Sequence, residues 1–259
     1  MKRVRQEKIK AVILAAGYAT RLYPLTLGIP KPLLKITSSR AVIDFIADSL
    51  ADSGVVSDIY VVTNSKFAGE FAVWARAQKH RSMITVLNDG THSNEDRLGA
   101  IGDIDFAVRK KEITDDVLVV GGDNLFGKPF DAFLSFARQR APYASLGLYD
   151  LQDKKKAGRF GIVSMDTWNR LTHFEEKPKH PRSTLAATCL YYFPAETLPL
   201  LKSYARDETT SNDASGNYIR WLMERQEVYG FPLRQGHWFD IGHLDLYKEV
   251  VAGYNGPLR

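Results

Sequence analysis

The chain has 259 residues, 44% of them hydrophobic and 25% charged, proportions of an ordinary globular protein that exclude disorder over most of its length. Nineteen glycines and eleven prolines without a period exclude collagen-like and low-complexity classes, and the single cysteine, Cys189, excludes an intrachain disulfide and a cysteine-built zinc site. The net charge of +5 is a mild excess, part of it in residues 1–10 and in Lys154, Lys155 and Lys156; without a basic stripe in aromatic or helical context it predicts no nucleic-acid partner, and it suits an anionic small substrate.

The charged N-terminus is followed by a short apolar run, 11–16. That run is too short for a signal segment or a membrane span, so a soluble, cytoplasmic protein without a membrane partner is expected. Hydrophobic periodicity then predicts the elements in order. A buried strand at 10–15 ends near Gly17, and a helix at 41–51 carries Val42, Ile43, Phe45, Ile46 and Leu50 at helical spacing. A strand at 58–63, a helix at 67–78 and a strand at 84–87 follow, the last closed by an Asn88-Asp89-Gly90 turn. A helix at 98–108 lines up Leu98, Ile101, Ile104 and Val108, before a strand at 117–120 and a helix at 130–139. This alternation predicts a parallel sheet covered on both faces.

After Ala141 the rhythm changes. Segments 144–149, 160–165, 171–174 and 187–193 read as strands, expected to add antiparallel to one side of the same sheet. Helices at 197–205 and 218–225 flank a polar run, 207–217, expected to be a mobile loop. A short strand at 228–231 and a helix at 244–254 follow. With no internal repeat and no Pro/Gly/Ser linker, one domain over 1–259 is expected.

Several familiar motifs fail. The stretch from Gly122 to Pro129 nearly spells a phosphate-binding loop, but Pro129 stands where a magnesium-ligating hydroxyl is needed. No G-x-G-x-x-G, G-x-S-x-G or H-E-x-x-H occurs, and the six histidines show no metal-ligand spacing on a predicted helix.

Four segments carry chemistry. In the first, the strand at 10–15 delivers Leu14, Ala15, Ala16, Gly17, Tyr18, Ala19, Thr20 and Arg21 to the edge where open α/β sheets bind ligands, with Lys31 ten residues further on. The small side chains let backbone N–H groups approach a phosphate or a base, and Arg21 is a planar fork for phosphate oxygens. An ordinary strand–turn with two solvated cations would have the same composition. In the second, Gly121-Gly122-Asp123-Asn124 sets a carboxylate at a strand end, suited to a hard cation or simply to capping the next turn. In the third, Lys177 after Glu176 is held extended by Pro178. In the fourth, Asp240 lies in a turn between aromatics and Gly242.

Taken together and in order, AAGYATRLYPLT, PKPLL, GGDN, RFGIV, FEEKP and WFDIG resemble the sugar-1-phosphate nucleotidylyltransferases, and within them most the glucose-1-phosphate thymidylyltransferase branch. The resemblance runs from about Lys10 to Val251. It implies a three-layer Rossmann-like α/β fold of the nucleotide-diphospho-sugar transferase type: a mixed, mainly parallel sheet with an antiparallel sugar-binding lobe. Residues 8–140 would bind the nucleotide and 141–259 the sugar phosphate. It further implies that Leu14, Ala15, Ala16, Gly17, Ala19, Thr20 and Gly99 contact the nucleotide and that Arg21 and Lys31 hold the triphosphate. Asp123 and Asp240 would share a Mg²⁺ ion, and Lys177 would bind the sugar phosphate. Asn124, Gly161, Glu176 and Thr188 would complete the sugar side. Arg21, Lys31, Asp123, Lys177 and Asp240 would form the catalytic set, with a nucleoside triphosphate and a sugar 1-phosphate as partners.

The residue types agree with that chemistry. A sugar phosphate is already ionised, so its oxygen needs no general base to attack an α-phosphorus. The remaining problem is the approach of two anions, which cations and Mg²⁺ solve. There are departures as well. Ala19 stands where the family loop carries a second glycine, His243-Leu244-Asp245 departs from the usual residues, and 88–100 lacks the glutamine pattern of thymidylyltransferases. The base is therefore open, with dTTP or UTP favoured, and the oligomeric state is not legible. The alternatives are another phosphorylated acceptor, such as a heptose or cyclitol, and a non-catalytic sugar-nucleotide sensor. The intact catalytic set argues against the sensor.

Overall fold

Ile13, Val61, Val62, Val119 and Val120 are all fully buried, as expected of strands covered on both faces. In a computed structural model, which describes residues 8–19, 22–127, 130–207, 209–234, 238–242 and 244–253, these residues lie in adjacent parallel strands. The first half runs β1 (Ile9–Leu14), α1 (Val42–Asp52), β2 (Val56–Thr63), α2 (Ala68–Ala77), β3 (Ile84–Asn88), α3 (Gly99–Lys110), β4 (Val117–Gly121), β5 (Asn124–Phe126) and α4 (Asp131–Arg138). The second half runs β6 (Ala144–Asp150), α5 (Lys154–Ala157), β7 (Gly161–Met165), β8 (Leu171–Glu176), β9 (Leu185–Phe193), α6 (Leu198–Ala205), α7 (Ser215–Met223), β10 (Val228–Pro232), β11 (Trp238–Asp240) and α8 (Leu244–Gly253).

The main sheet has nine strands in the order β10-β6-β9-β4-β1-β2-β3, with the β7–β8 hairpin branching from β9. Strand alternation sorts the apolar residues onto two faces. Ala11, Ile13, Leu118 and Val120 pack with Ile46, Phe71, Phe133 and Val250 under α1, α2, α4 and α8. Val12, Val62 and Val119 pack with Ile104, Leu201 and Ile219 under α3, α6 and α7. The mixed, mainly parallel sheet expected from the sequence is therefore present, within a residue or two at most ends.

Strand direction differs from expectation in the second half. β9 runs antiparallel to both β4 and β6, so β6 and its parallel neighbour β10 point the same way as β1 and β4. Only β9 and β8, the second strand of the hairpin, depart from the parallel direction. Alternation identifies a strand but carries no direction, so 144–149 and 228–231 could not be oriented from their sequence.

The polar run 207–217 differs too. Its last part, from Ser215, is the first turn of α7, and Ser211, Asn212 and Asp213 before it are bound. Tyr204 Oη donates to the Ser211 carbonyl at 2.8 Å, and Asn212 Nδ2 to Ala205 at 3.0 Å. The carbonyls of Asn212 and Asp213 accept from the N–H groups of Ile101 (3.1 Å) and Ala100 (3.4 Å). These are orphan donors of the α3 N-terminus, so the polar run satisfies a helix end. Gly99 makes the approach possible: it has φ +77°, and a Cβ there would lie 2.5 Å from the Asn212 carbonyl oxygen.

Candidate functional site

The site forms at the carboxyl ends of β1 and β4. The 15–19 loop leaves β1 tied to its neighbours, with Ala15 N–H donating to Val62 at 2.8 Å. Buried Asn64 donates to the Ala16 carbonyl at 2.8 Å and accepts from Phe67 N–H at 3.1 Å. Ala19 takes φ +51°, the left-handed region that suits the glycine it replaces in the family pattern. Its carbonyl accepts from Thr26 Oγ1 (2.8 Å) and Leu22 N–H (3.0 Å). Thr20, Arg21 and His243 lie outside the described residues.

At the end of β4, two glycines are sterically required. A Cβ on Gly121 would come 2.7 Å from Asn124 Nδ2 and 2.8 Å from Cys189 Cβ, and one on Gly122 would come 2.7 Å from the Leu14 carbonyl oxygen. The chain then turns into β5, which pairs antiparallel with β11 so that Asn124 opposes Asp240. Trp238 Nε1 donates to Asn124 Oδ1 at 2.6 Å, Asn124 Nδ2 donates to Asp123 Oδ1 at 2.7 Å, and Ile241 N–H donates to the Asp123 carbonyl at 3.0 Å. This small ladder, not expected from the sequence, brings Asp123 and Asp240 together from opposite halves of the chain. Cys189 reports their convergence: burial and then the charges of Asp123 and Asp240 push its thiol up.

Lys31 Nζ lies 2.8 Å from Asp123 Oδ2. Burial raises the Asp123 carboxyl, but the Lys31 charge and the hydrogen bonds from Lys31 and Asn124 outweigh it and hold it below the usual range. A cation is thus already drawn to this carboxylate. Among the described residues no group of three or more His, Cys, Asp or Glu converges as a metal cage. Two hard carboxylates beside room for phosphates nonetheless fit Mg²⁺, which takes one or two protein carboxylates and completes its shell from substrate and water.

Two clefts meet here. One, of about 380 Å³, is lined by Leu14 to Ala19, Lys31, Gly99, Asp123 and Gly242, with Asn94, Arg97, Asp103 and Asp213 beyond. The other, of about 200 Å³, is lined by Asn124, Arg159, Gly161, Glu176, Ser215, Gly216 and Asp240. Asp123 and Cys189 belong to both. In the second cleft Glu176 lies between two glycines: a Cβ on Gly161 would come 3.1 Å from its Oε2, and one on Gly216 would collide with that same oxygen.

Two expected residues sit differently. Lys177 has φ +46°, its N–H donates to Phe160 at 3.1 Å, and its Nζ stands 3.5 Å from Glu176 Oε1. The side chain is 51% exposed, beside the second cleft and not among its lining residues. It is therefore not held extended, as its neighbour Pro178 had suggested. Thr188 corrects the sequence expectation outright. It is fully buried, and its hydroxyl donates to the Gly147 carbonyl at 2.9 Å. Ala187, Cys189 and Tyr191 line the cleft, and the two-residue period of β9 turns Thr188 to the opposite face. The sequence missed Ser215 and Gly216, because α7 was started three residues late, and missed Asp103 and Arg97, which no local motif marks.

The model of the nucleotidyl transferase family matches residues 10–255. The chain belongs to that family. Among curated relatives it is 28% identical, over 97% of its length, to a glucose-1-phosphate adenylyltransferase of Thermosipho africanus, and 27% identical, over 94%, to one of Fervidobacterium nodosum. It spans 63% and 60% of those relatives' lengths. Among solved structures it resembles a Bacillus anthracis protein described as a glucose-1-phosphate thymidylyltransferase, with sucrose bound. The TM-score is 0.80 at 21% identity, over 94% of each chain. At that identity the likeness speaks for the fold, and the nucleotidyl transferase fold is the one described above.

Proposed function

We propose that this nucleotidyl transferase couples a nucleoside triphosphate to a sugar 1-phosphate, giving a nucleotide-sugar and pyrophosphate. The observation that carries this is the meeting of two clefts at Asp123. One is walled by a small-residue loop and Lys31, the other by Glu176 between Gly161 and Gly216. The triphosphate lies along 15–19 with its charge facing Lys31, and the sugar hydroxyls face Glu176. Glycine at 161 and 216 lets Glu176 and Phe174 pack between them, since a Cβ at either would run into these side chains, and this holds Glu176 in the cleft wall.

A sugar-phosphate oxygen attacks the α-phosphorus. A P–O bond forms there, the bond to the β-phosphate bridging oxygen breaks, and pyrophosphate leaves with those electrons. No proton is transferred. Asp123 and Asp240 would hold Mg²⁺, which supplies charge neutralisation between donor and acceptor phosphates when bound. Lys31 then exchanges Asp123 for the triphosphate as its counter-charge. Lys177, exposed beside Glu176, neutralises the acceptor phosphate. The sequence motifs favour dTTP or UTP as donor, whereas the curated relatives are adenylyltransferases.

The test is pyrophosphate release over a grid of nucleoside triphosphates against sugar 1-phosphates, with and without Mg²⁺. One strong combination, lost on adding chelator, supports the reading. Release with no combination, alongside nucleotide binding, would favour the sensor instead.

A further inference from the structure

Asp103 lies on α3 one turn after Gly99. It is 6% exposed and lines the larger cleft beside Asp89, which follows β3, whereas Asp123 follows β4, three strands across the sheet. Its Oδ1 is buried and takes no hydrogen bond among the described residues, and the same holds for Oδ2 of Asp89, just past β3. The two carboxyls are within hydrogen-bonding reach of each other. The other Asp89 oxygen is committed to Thr91, accepting from its N–H at 2.7 Å and its hydroxyl at 2.8 Å.

Two carboxyls in contact at this depth do not both ionise. A proton between the two orphan oxygens satisfies both at once. Burial, then the Asp89 charge and its hydrogen bond, push Asp103 well above the usual carboxylate range, so Asp103 carries that proton toward Asp89. Its remaining oxygen is then a fixed acceptor with the charge of Asp89 behind it. Nothing in the transfer step uses this pair.

The position decides what it meets. If Lys31 and Asp123 face the triphosphate, the Asp103 side of the cleft, across the sheet, faces the base. Resting on the nucleotidyl-transfer reading, we propose that Asp103, backed by Asp89, accepts a hydrogen bond from an exocyclic amino group of the donor's base and so selects adenine, cytosine or guanine over thymine and uracil. Thymine and uracil present two carbonyl oxygens flanking one N–H on their pairing edge. A carbonyl set against Asp103 leaves two buried acceptors facing each other, and a site built to hydrogen-bond one group rejects an analogue lacking it. This runs against the dTTP or UTP preference that the motifs suggest.

The experiment is calorimetric titration of the chain with ATP, GTP, CTP, UTP and dTTP in Mg²⁺. Purine riboside triphosphate and ITP, which are ATP and GTP without their amino groups, complete the set, and pyrophosphate release is measured in parallel. The expected result is that one amino-bearing triphosphate binds about tenfold or more tighter than UTP and dTTP and loses that advantage when its amino group is removed. Asp103→Leu should level the series. Asp103→Asn, whose amide donates to Asp89 and leaves an oxygen toward the cleft, should keep the preference. If Asp103→Leu does not fold, the amino-deleted analogues decide alone. Equal or tighter binding of UTP or dTTP, or no loss on removing the amino group, overturns the proposal while pyrophosphate release still upholds the transfer reaction. Selective binding with no release upholds the base preference and overturns the transfer reading. No binding of any triphosphate overturns both.

Discussion

Ala19 shows how one residue can depart from a family pattern and keep its geometry. At φ +51° the left-handed conformation costs alanine about 1–2 kcal/mol, and glycine at the same place loses about 0.4–1 kcal/mol through the unfolded chain. Ala19→Gly should therefore leave stability unchanged or raise it by up to about 1.6 kcal/mol in urea denaturation. Thr188 is the opposite case, a residue with a plausible role and the wrong face. Because its hydroxyl serves Gly147, Thr188→Val should cost about 1 kcal/mol of stability and leave the KM for the sugar phosphate untouched. A large rise in that KM would restore Thr188 to the site. The small-residue loop and Asp123 were legible from local composition, because each stands at a strand end, whereas Glu176 was legible only through the family resemblance. Asp103 was not, because its partner Asp89 is brought to it only by the packing of α3 over β1 and β2.

At the scale of elements, the contact between α3 and the segment before α7 depends on Gly99. Gly99→Ala places a methyl group against Asn212 and forces a left-handed alanine. The expected loss is about 2 kcal/mol, with faster amide exchange at Ala100 and Ile101. Unchanged exchange there would mean that 209–214 does not cap α3. The strand pair β1–β2 makes a second prediction. Lys10 faces Asp58 in register, with Nζ 2.6 Å from Oδ2. Burial raises the Asp58 carboxyl, but the hydrogen bonds from Lys10 and Ser57 and the Lys10 charge bring it below 3.8. A carboxyl depressed on folding stabilises above its unfolded value and loses that contribution as pH falls through the folded one. Asp58 is 40% exposed, so screening holds the pair to at most about 1 kcal/mol. Asp58→Asn should lower stability at pH 7 by that much, and the gap should close below pH 3.8. Element type and order were legible here because hydrophobic period encodes them; the direction of β6 and the short β5–β11 ladder were not. Direction is set by where the chain re-enters the sheet, and three-residue strands carry no period.

Over the whole molecule, the parallel core and the β9 insertion do one thing for the site: they place two clefts side by side with Asp123 in the shared wall. The β5–β11 pairing then supplies Asp240 from the far end of the sequence. No described helix is long and apolar enough to cross a membrane. The most direct test of the account is phosphorus NMR of the chain with a nucleoside triphosphate, a sugar 1-phosphate and Mg²⁺, repeated with Asp123→Asn. The account predicts paired diphosphate resonances of a nucleotide-sugar together with pyrophosphate, and their loss by orders of magnitude in a variant that remains folded. Formation of nucleoside diphosphate and inorganic phosphate instead, or an Asp123→Asn chain as fast as the native one, would contradict it.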